Sequence, residues 1–328
     1  MSATIEKING KSRIVLNGNE PLKILQLTDI HLGGGWLSKK QDALALSAVQ
    51  KIIEKADPDF IVVTGDICYP FWYKAGTHNN LKSAKMFGDV MTKSGRPWTF
   101  VFGNHDSESF AKCDKNELAD YYSSLPNCYF EKGKPMQGLG NYSIPVYNSD
   151  GNLNTVLMFL DSNAYLSWHF FSGFDTIHQD QIDWYKEEIN SFATDRAIPQ
   201  SLAFFHIPPK EFKEGWDKCV LGKFDEVTYH SGFVQEKDNY FGYPKTVEGN
   251  FIKEMVSFGS LKGFFCGHDH LNTLSITYQG IRMTYGMSID YLAYSGISDR
   301  HTQRGGTLIY LNSDKTFDVR PLPLSAVE

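Results

Sequence analysis

Gly103-Asn104-His105-Asp106 sets an amide oxygen, a titratable imidazole and a carboxylate side by side. It follows the apolar run Pro97-Trp98-Thr99-Phe100-Val101-Phe102. Asn104 offers a neutral oxygen ligand, His105 a ring for proton transfer, and Asp106 a carboxylate to orient that ring. Gly, Asn and Asp are also ordinary turn residues, so taken alone the stretch reads equally as a strand-to-loop turn. Four other places repeat the pattern: Asp29-Ile30-His31, Gly65-Asp66, His206 before Pro208-Pro209, and Gly267-His268-Asp269-His270. Asp29 and His31, like His268 and His270, are two apart, so in extended backbone each pair leaves on one face and can share an ion. Together these are N and O ligands without cysteine, enough for two divalent cations of the Mn, Fe or Zn type. A single histidine after a strand is usually a core or capping residue. Five such strand ends in one chain favour a shared site.

Rigid carriers must bring these groups together. Leu22–Leu27, Phe60–Val63, Pro97–Phe102, Ser201–Phe205 and Lys262–Cys266 are short apolar or β-branched runs, each ending at one of the clusters. Helical spacing over Lys39–Ala56, stopped by Asp57-Pro58, separates the first two. Helices are also expected over Asn80–Ser94, Lys115–Ser124, Gln179–Phe192 and Val247–Phe258, with a hairpin at 141–147 and 154–160 and short strands at 273–278, 281–286 and 306–311. Strand, helix and strand in alternation make this an α/β chain with a mostly parallel core and ligands at the strands' carboxyl ends. Residues 1–21 read as an edge appendage with a strand at Arg13–Leu16, 161–177 as an aromatic loop, and 210–245 as an insertion. No repeat or linker divides the chain, so one domain over 1–328 is expected.

Composition bounds the function. Hydrophobic residues at 41% and charged residues at 21% suit a soluble globular protein with a large core. A net charge of -6 without clustered Lys and Arg argues against binding a nucleic-acid backbone. No apolar run reaches the roughly 20 residues of a membrane span. The first residues lack a signal peptide's apolar centre, and five scattered cysteines suit reduced thiols, so a cytoplasmic location is expected.

Asp29-x-His31, Gly65-Asp66, Gly103-Asn104-His105-Asp106, His206 and Gly267-His268-x-His270 resemble, in order and spacing, the five blocks of the calcineurin-like metallophosphoesterase superfamily. The wider run, with Phe159-Leu160-Asp161-Ser162 and Ser201–Pro208, is similar to the branch related to purple acid phosphatases. The resemblance implies a four-layer sandwich of two mixed sheets flanked by helices, holding two divalent or mixed-valent cations. Carried over, Asp29, His31 and His270 would hold one cation, Asn104, His206 and His268 the other, and Asp66 would bridge them. Purple acid phosphatases place a ligating tyrosine three residues after the bridging aspartate and lack the first-block histidine. This chain has both Tyr69 and His31, and His31 is favoured as ligand, with Tyr69 beside it. The implied chemistry is hydrolysis of a phosphomonoester or small phosphodiester by a hydroxide shared between the cations, with His105 serving the leaving oxygen. Cyclic nucleotides or nucleotide diphosphates are alternative substrates, a phosphoprotein is a possible partner, and a non-catalytic binding module on the same fold is the rival from another class.

Other residues divide between site and scaffold. Tyr69-Pro70-Phe71-Trp72-Tyr73 either walls a pocket for a base or sugar or packs over a loop. Asn163, His169 and Tyr243 lie on loops that could cover the site, and Arg300 and Arg304 could meet phosphate. His230 is a rival to His206 without a strand before it. His78, His178 and His301 default to surface or helix-end roles.

Overall fold

The computed structural model describes residues 2–8, 10–166, 173–194, 197–294, 297 and 303–327. The chain begins with a hairpin, β1 (Ala3–Ile8) and β2 (Lys11–Leu16), turning at Gly10 with a φ of +80°. β3 (Leu22–Leu27), α1 (Lys39–Ala56), β4 (Phe60–Thr64), the single-turn α2 (Trp72–Ala75), α3 (Asn80–Ser94) and β5 (Trp98–Val101) form the first α/β unit. α4 (Lys115–Ser123), β6 (Tyr142–Tyr147), β7 (Leu153–Phe159), α5 (Gln179–Ser191) and β8 (Ser201–Phe204) follow. The remainder is α6 (Lys210–Val220), β9 (Val227–Ser231), α7 (Phe251–Phe258), β10 (Leu261–Cys266), β11 (Ser275–Tyr278), β12 (Ile281–Tyr285), β13 (Gly305–Leu311) and β14 (Phe317–Pro323).

Two mixed sheets result. One runs β14-β13-β3-β4-β5, with β3, β4 and β5 parallel; the other runs β1-β2-β6-β7-β8-β10-β12-β11-β9, with β7, β8, β10 and β12 parallel. Period-two alternation divides the large sheet's faces. Leu157, Phe159, Leu202, Phe204 and Phe265 pack toward the small sheet, while Val156, Met158, Ala203, Phe205 and Phe264 pack under α5, α6 and α7. Helices α1 and α3 cover the small sheet's far side, completing four layers. α1 shows the cause locally. Its buried Ala45, Ala48, Val49, Ile52, Ile53 and Ala56 follow 3.6-residue spacing, and Asp57 closes it in the left-handed region at φ 44° before Pro58.

Some elements differ from the sequence expectation. β1 was hidden by Glu6 and Lys7, and β14 by two prolines and an arginine. α6 falls in the stretch read as an insertion, because Pro208-Pro209 and Gly215 look like loop. Pro209 instead caps the helix, and Gly215 lets it approach β11, where a Cβ would stand 2.7 Å from Ile276. α7 starts at Phe251 rather than Val247, after Gly249 and Asn250. Among the described residues no helix is long and apolar enough to cross a membrane.

Candidate metal centre

The carboxyl ends of β3, β4, β5, β8 and β10 meet at one edge where the sheets face each other. Side-chain and backbone bonds lock the edge. Gln26 Nε2 on one sheet donates to Cys266 O on the other at 3.0 Å, and His206 Nδ1 donates to Thr64 O at 2.7 Å. Asp29 N bonds Gly65 O and His31 N bonds Asp66 O. The chain leaves these strands in unusual conformations: Asp29, His31, Asp66 and His268 have φ of 50, 52, 54 and 80°. Each such residue costs about 1–3 kcal/mol, and a cluster of them aims side chains that ordinary turns would not. Gly103 permits closeness, since a Cβ there would stand 2.1 Å from Asp66 Oδ1.

Two donor groups stand within this edge: Asp29, His31 and His270 in one, Asp66, His206 and His268 in the other, the ligand atoms of each within 4.8 Å of one another. Asp66 lies between them, its Oδ2 3.5 Å from His31 Nε2 and 3.1 Å from His206 Nε2. Asp66 Oδ1 accepts from His105 N at 2.8 Å, so Oδ2 is the oxygen left over. Asn104 Nδ2 donates to Tyr165 Oη at 3.0 Å, which leaves its Oδ1 over in the same way.

Buried polar atoms ordinarily find hydrogen-bond partners. Here Asp66 Oδ2, Asn104 Oδ1, His206 Nε2 and both ring nitrogens of His31 have none. Converging, desolvated lone pairs of this kind fit divalent cations; six of the seven residues singled out as ligands stand in the two donor groups, and Asn104 adds one more buried oxygen without a partner. From protein groups alone, burial would lower His206, but the Asp66 carboxylate beside it raises it to about 9. Burial opposes the charge of His270 likewise, yet its bond to Asp290 raises it to about 10. Burial and the charge of His206 hold His268 well below its ordinary value. Burial pushes Asp66 up, and three surrounding histidines bring it net well below the usual carboxylate range.

One role is corrected. Asp106 does not orient His105; its carboxylate accepts from Gly103 N, Asp66 N and Cys68 N at 2.8, 3.0 and 2.9 Å, tying the β5 turn to the β4 turn. Burial, then the charge of Asp66, raises Asp106 to about 6. The partner of His105 Nδ1 is Glu108 Oε1 at 2.7 Å, and Glu108 also accepts from Tyr165 Oη at 3.0 Å. Glu108, Tyr165 and Asp290 went unrecognised in the sequence. Glu108 sits three residues past His105 in the same turn segment, a readable spacing. Asp290 lies in no motif, yet its Oδ2 is 3.1 Å from His270 Nδ1 and its carboxylate also accepts from Leu292 N, Ala293 N and Tyr294 N.

The secondary residues separate as follows. Tyr69 packs against His31 and His105 at ring distances of 5.1 and 5.0 Å, its hydroxyl 3.3 Å from that of Tyr73. Asn163 spends its amide on Thr176 O and Gln181 Oε1, a scaffold role. Tyr243 is half-buried next to Gly242, whose Cα side abuts His268, and Lys245 lies over its ring. Arg304 is buried, donating to Ile289 O and Asp290 O rather than facing phosphate. His230 is exposed on β9, His78 bonds Pro70 O, and His178 pairs with Asp175. His169, Arg300 and His301 lie outside the described residues.

The calcineurin-like phosphoesterase family matches residues 22–272 of the chain. Probable inactive purple acid phosphatase 29 of Arabidopsis thaliana is 28% identical over 313 residues, 87% of this chain and 75% of that protein. Phosphatase DCR2 of Saccharomyces cerevisiae is 28% identical over 285 residues, 80% of this chain and 46% of that protein. Among solved structures, a dimetal phosphatase from Danio rerio superposes with a TM-score of 0.57 at 12% identity, covering 93% of this chain and 97% of that one. That likeness is one of fold.

Proposed function

The chain belongs to the calcineurin-like phosphoesterase family, in the branch related to purple acid phosphatases, and from that premise we propose a two-cation phosphoesterase acting on a phosphomonoester or small phosphodiester. The observation that carries this reading is the set of buried, unpartnered lone pairs on His31, Asp66, Asn104 and His206. Asp29, His31 and His270 would hold one cation, Asn104, His206 and His268 the other, with Asp66 common to both. Bound there, two divalent cations supply an acidified water and offset the charge of a phosphate. The chain's residues do the rest. His105 stays outside both groups, and with Nδ1 committed to Glu108 its Nε2 is free to give a proton to the departing oxygen. Asp290 and Thr64 O hold the rings of His270 and His206 with the outer nitrogens turned inward.

A non-catalytic metal-binding module is the second reading, favoured by the words "probable inactive" in the plant relative's name. Against it, this chain keeps the full donor set and His105, and the yeast relative is named a phosphatase. Turnover of p-nitrophenyl phosphate and its bis ester with added Mn, in the wild type, Asn104→Ala and His105→Ala, separates the two. Loss in both variants supports the enzyme; equal rates in all three proteins support the module.

A further inference from the structure

Around the centre the walls are aromatic. Phe174 meets the ring of His268 at 4.4 Å and Tyr294 that of His270 at 5.7 Å. On the His105 side the rings continue outward as a shelf. Phe71 lies 5.3 Å from His105 and 4.4 Å from Tyr69; Tyr73 and Phe110 lie one ring farther, 5.8 and 4.9 Å from Phe71. His78 and Trp72 extend it, and Trp36 packs on Gly76 at the end of the Trp72 turn. The outer rings are open: Tyr73 is 67% exposed, Trp36 66%, Trp72 59% and Phe110 38%. A contiguous exposed aromatic surface joined to a reaction centre marks a ligand's resting place.

We infer that this shelf is the leaving-group subsite, and that the substrate is a nucleoside phosphate. The inference rests on the phosphoesterase reading above. His105 is the group that meets the departing oxygen, so what is attached to that oxygen lies along Phe71 toward Tyr73 and Phe110. The rings against His105, Tyr69 and Phe71, are buried or half-buried, whereas Tyr73 and Phe110 beyond them are open, so the planar part of the ligand is separated from phosphorus by a spacer, as a base is by its pentose. The hydroxyls of Tyr69 and Tyr73, 3.3 Å apart, put one polar point on an otherwise apolar surface where sugar hydroxyls would meet it. A base stacked on such rings is held without sequence reading. The net charge of -6 disfavours a polynucleotide and leaves the mononucleotide. The reaction is hydrolysis: water adds to phosphorus, the bond to the 5′-oxygen breaks, and that oxygen leaves with a proton, giving nucleoside and phosphate.

The test compares AMP with ribose 5-phosphate on the Mn-loaded protein, a pair with similar leaving alcohols that differ in the base. AMP should be favoured at least tenfold in kcat/KM. Tyr73→Ala and Phe110→Ala, both at open positions, should each cut that preference by the roughly five- to hundredfold that losing a stacking ring costs. Adenosine should quench the tryptophan fluorescence of the metal-free protein, ribose should not, and Trp72→Phe should diminish the quench. Equal kcat/KM for the two esters, or a preference that survives both alanine variants, overturns the shelf and leaves the phosphoesterase reading standing. Failure to turn over these esters and bis(p-nitrophenyl) phosphate overturns that reading as well.

Discussion

Asn104 shows how one side chain can be oriented by its neighbours: Tyr165 takes its amide hydrogen, which leaves its buried oxygen without a protein partner. The same Tyr165 donates to Glu108, which holds His105, so ligand geometry and proton delivery share one chain of hydrogen bonds. His105→Ala should lower kcat by about 10²–10⁴ and leave metal content unchanged, read by steady-state kinetics and elemental analysis. Glu108→Gln keeps the shape and removes the charge, so kcat should fall by roughly tenfold with KM nearly constant. Proton linkage gives a third prediction. His206 and His270, raised to about 9 and 10 from 6.5, lend the metal-free fold stability that is complete below about 6.5 and lost as pH rises through 9 to 10. The melting temperature of metal-free protein should therefore fall on the alkaline side, and Mn binding at pH 7 should release protons, measurable by calorimetry in buffers of different ionisation enthalpy. No proton release would mean that these rings are not where the cation binds.

At the scale of elements, the turns after the strands do the positioning. Gly103→Ala would force a Cβ against Asp66 Oδ1 and N, at 2.1 and 2.4 Å, so the β4 and β5 turns must part. A loss of about 1–3 kcal/mol in stability and a clear fall in Mn occupancy are expected, checked by denaturant titration and elemental analysis. These turns were legible in the sequence because each is a polar cluster closing an apolar run, as at Thr99–Val101 before Gly103. The supporting carboxylates were less so. Asp106 sits beside His105 in sequence, and adjacency suggested a bond that the backbone turns away from; Glu108, three on, has the reach. Asp290 lies five residues past β12 outside any polar cluster, and the pairing of Ile289 N with Thr28 O and of Asp290 N with Asp29 O brings it in. α6 was masked by residues that serve as its cap and its packing notch.

For the molecule as a whole, the centre straddles two sheets held mainly by apolar layers. The Phe159, Phe204 and Phe265 rings stack across the large sheet at 5.3 and 5.1 Å, and each buried ring contributes about 1.5–3 kcal/mol. Cations held by residues from both sheets would fasten the layers further. At a hundred times its dissociation constant, Mn should stabilise the fold by about 2.7 kcal/mol per site, and EDTA should remove the gain, as read by thermal melting. The central claim is that scattered strand ends build two cation sites sharing Asp66. An anomalous difference map from crystals grown with manganese tests it most directly. Two peaks, one among Asp29, His31 and His270 and one among Asn104, His206 and His268, with Asp66 reaching both, are the predicted result. A map without density at those positions, or with its strongest peaks elsewhere on the protein, would contradict the account.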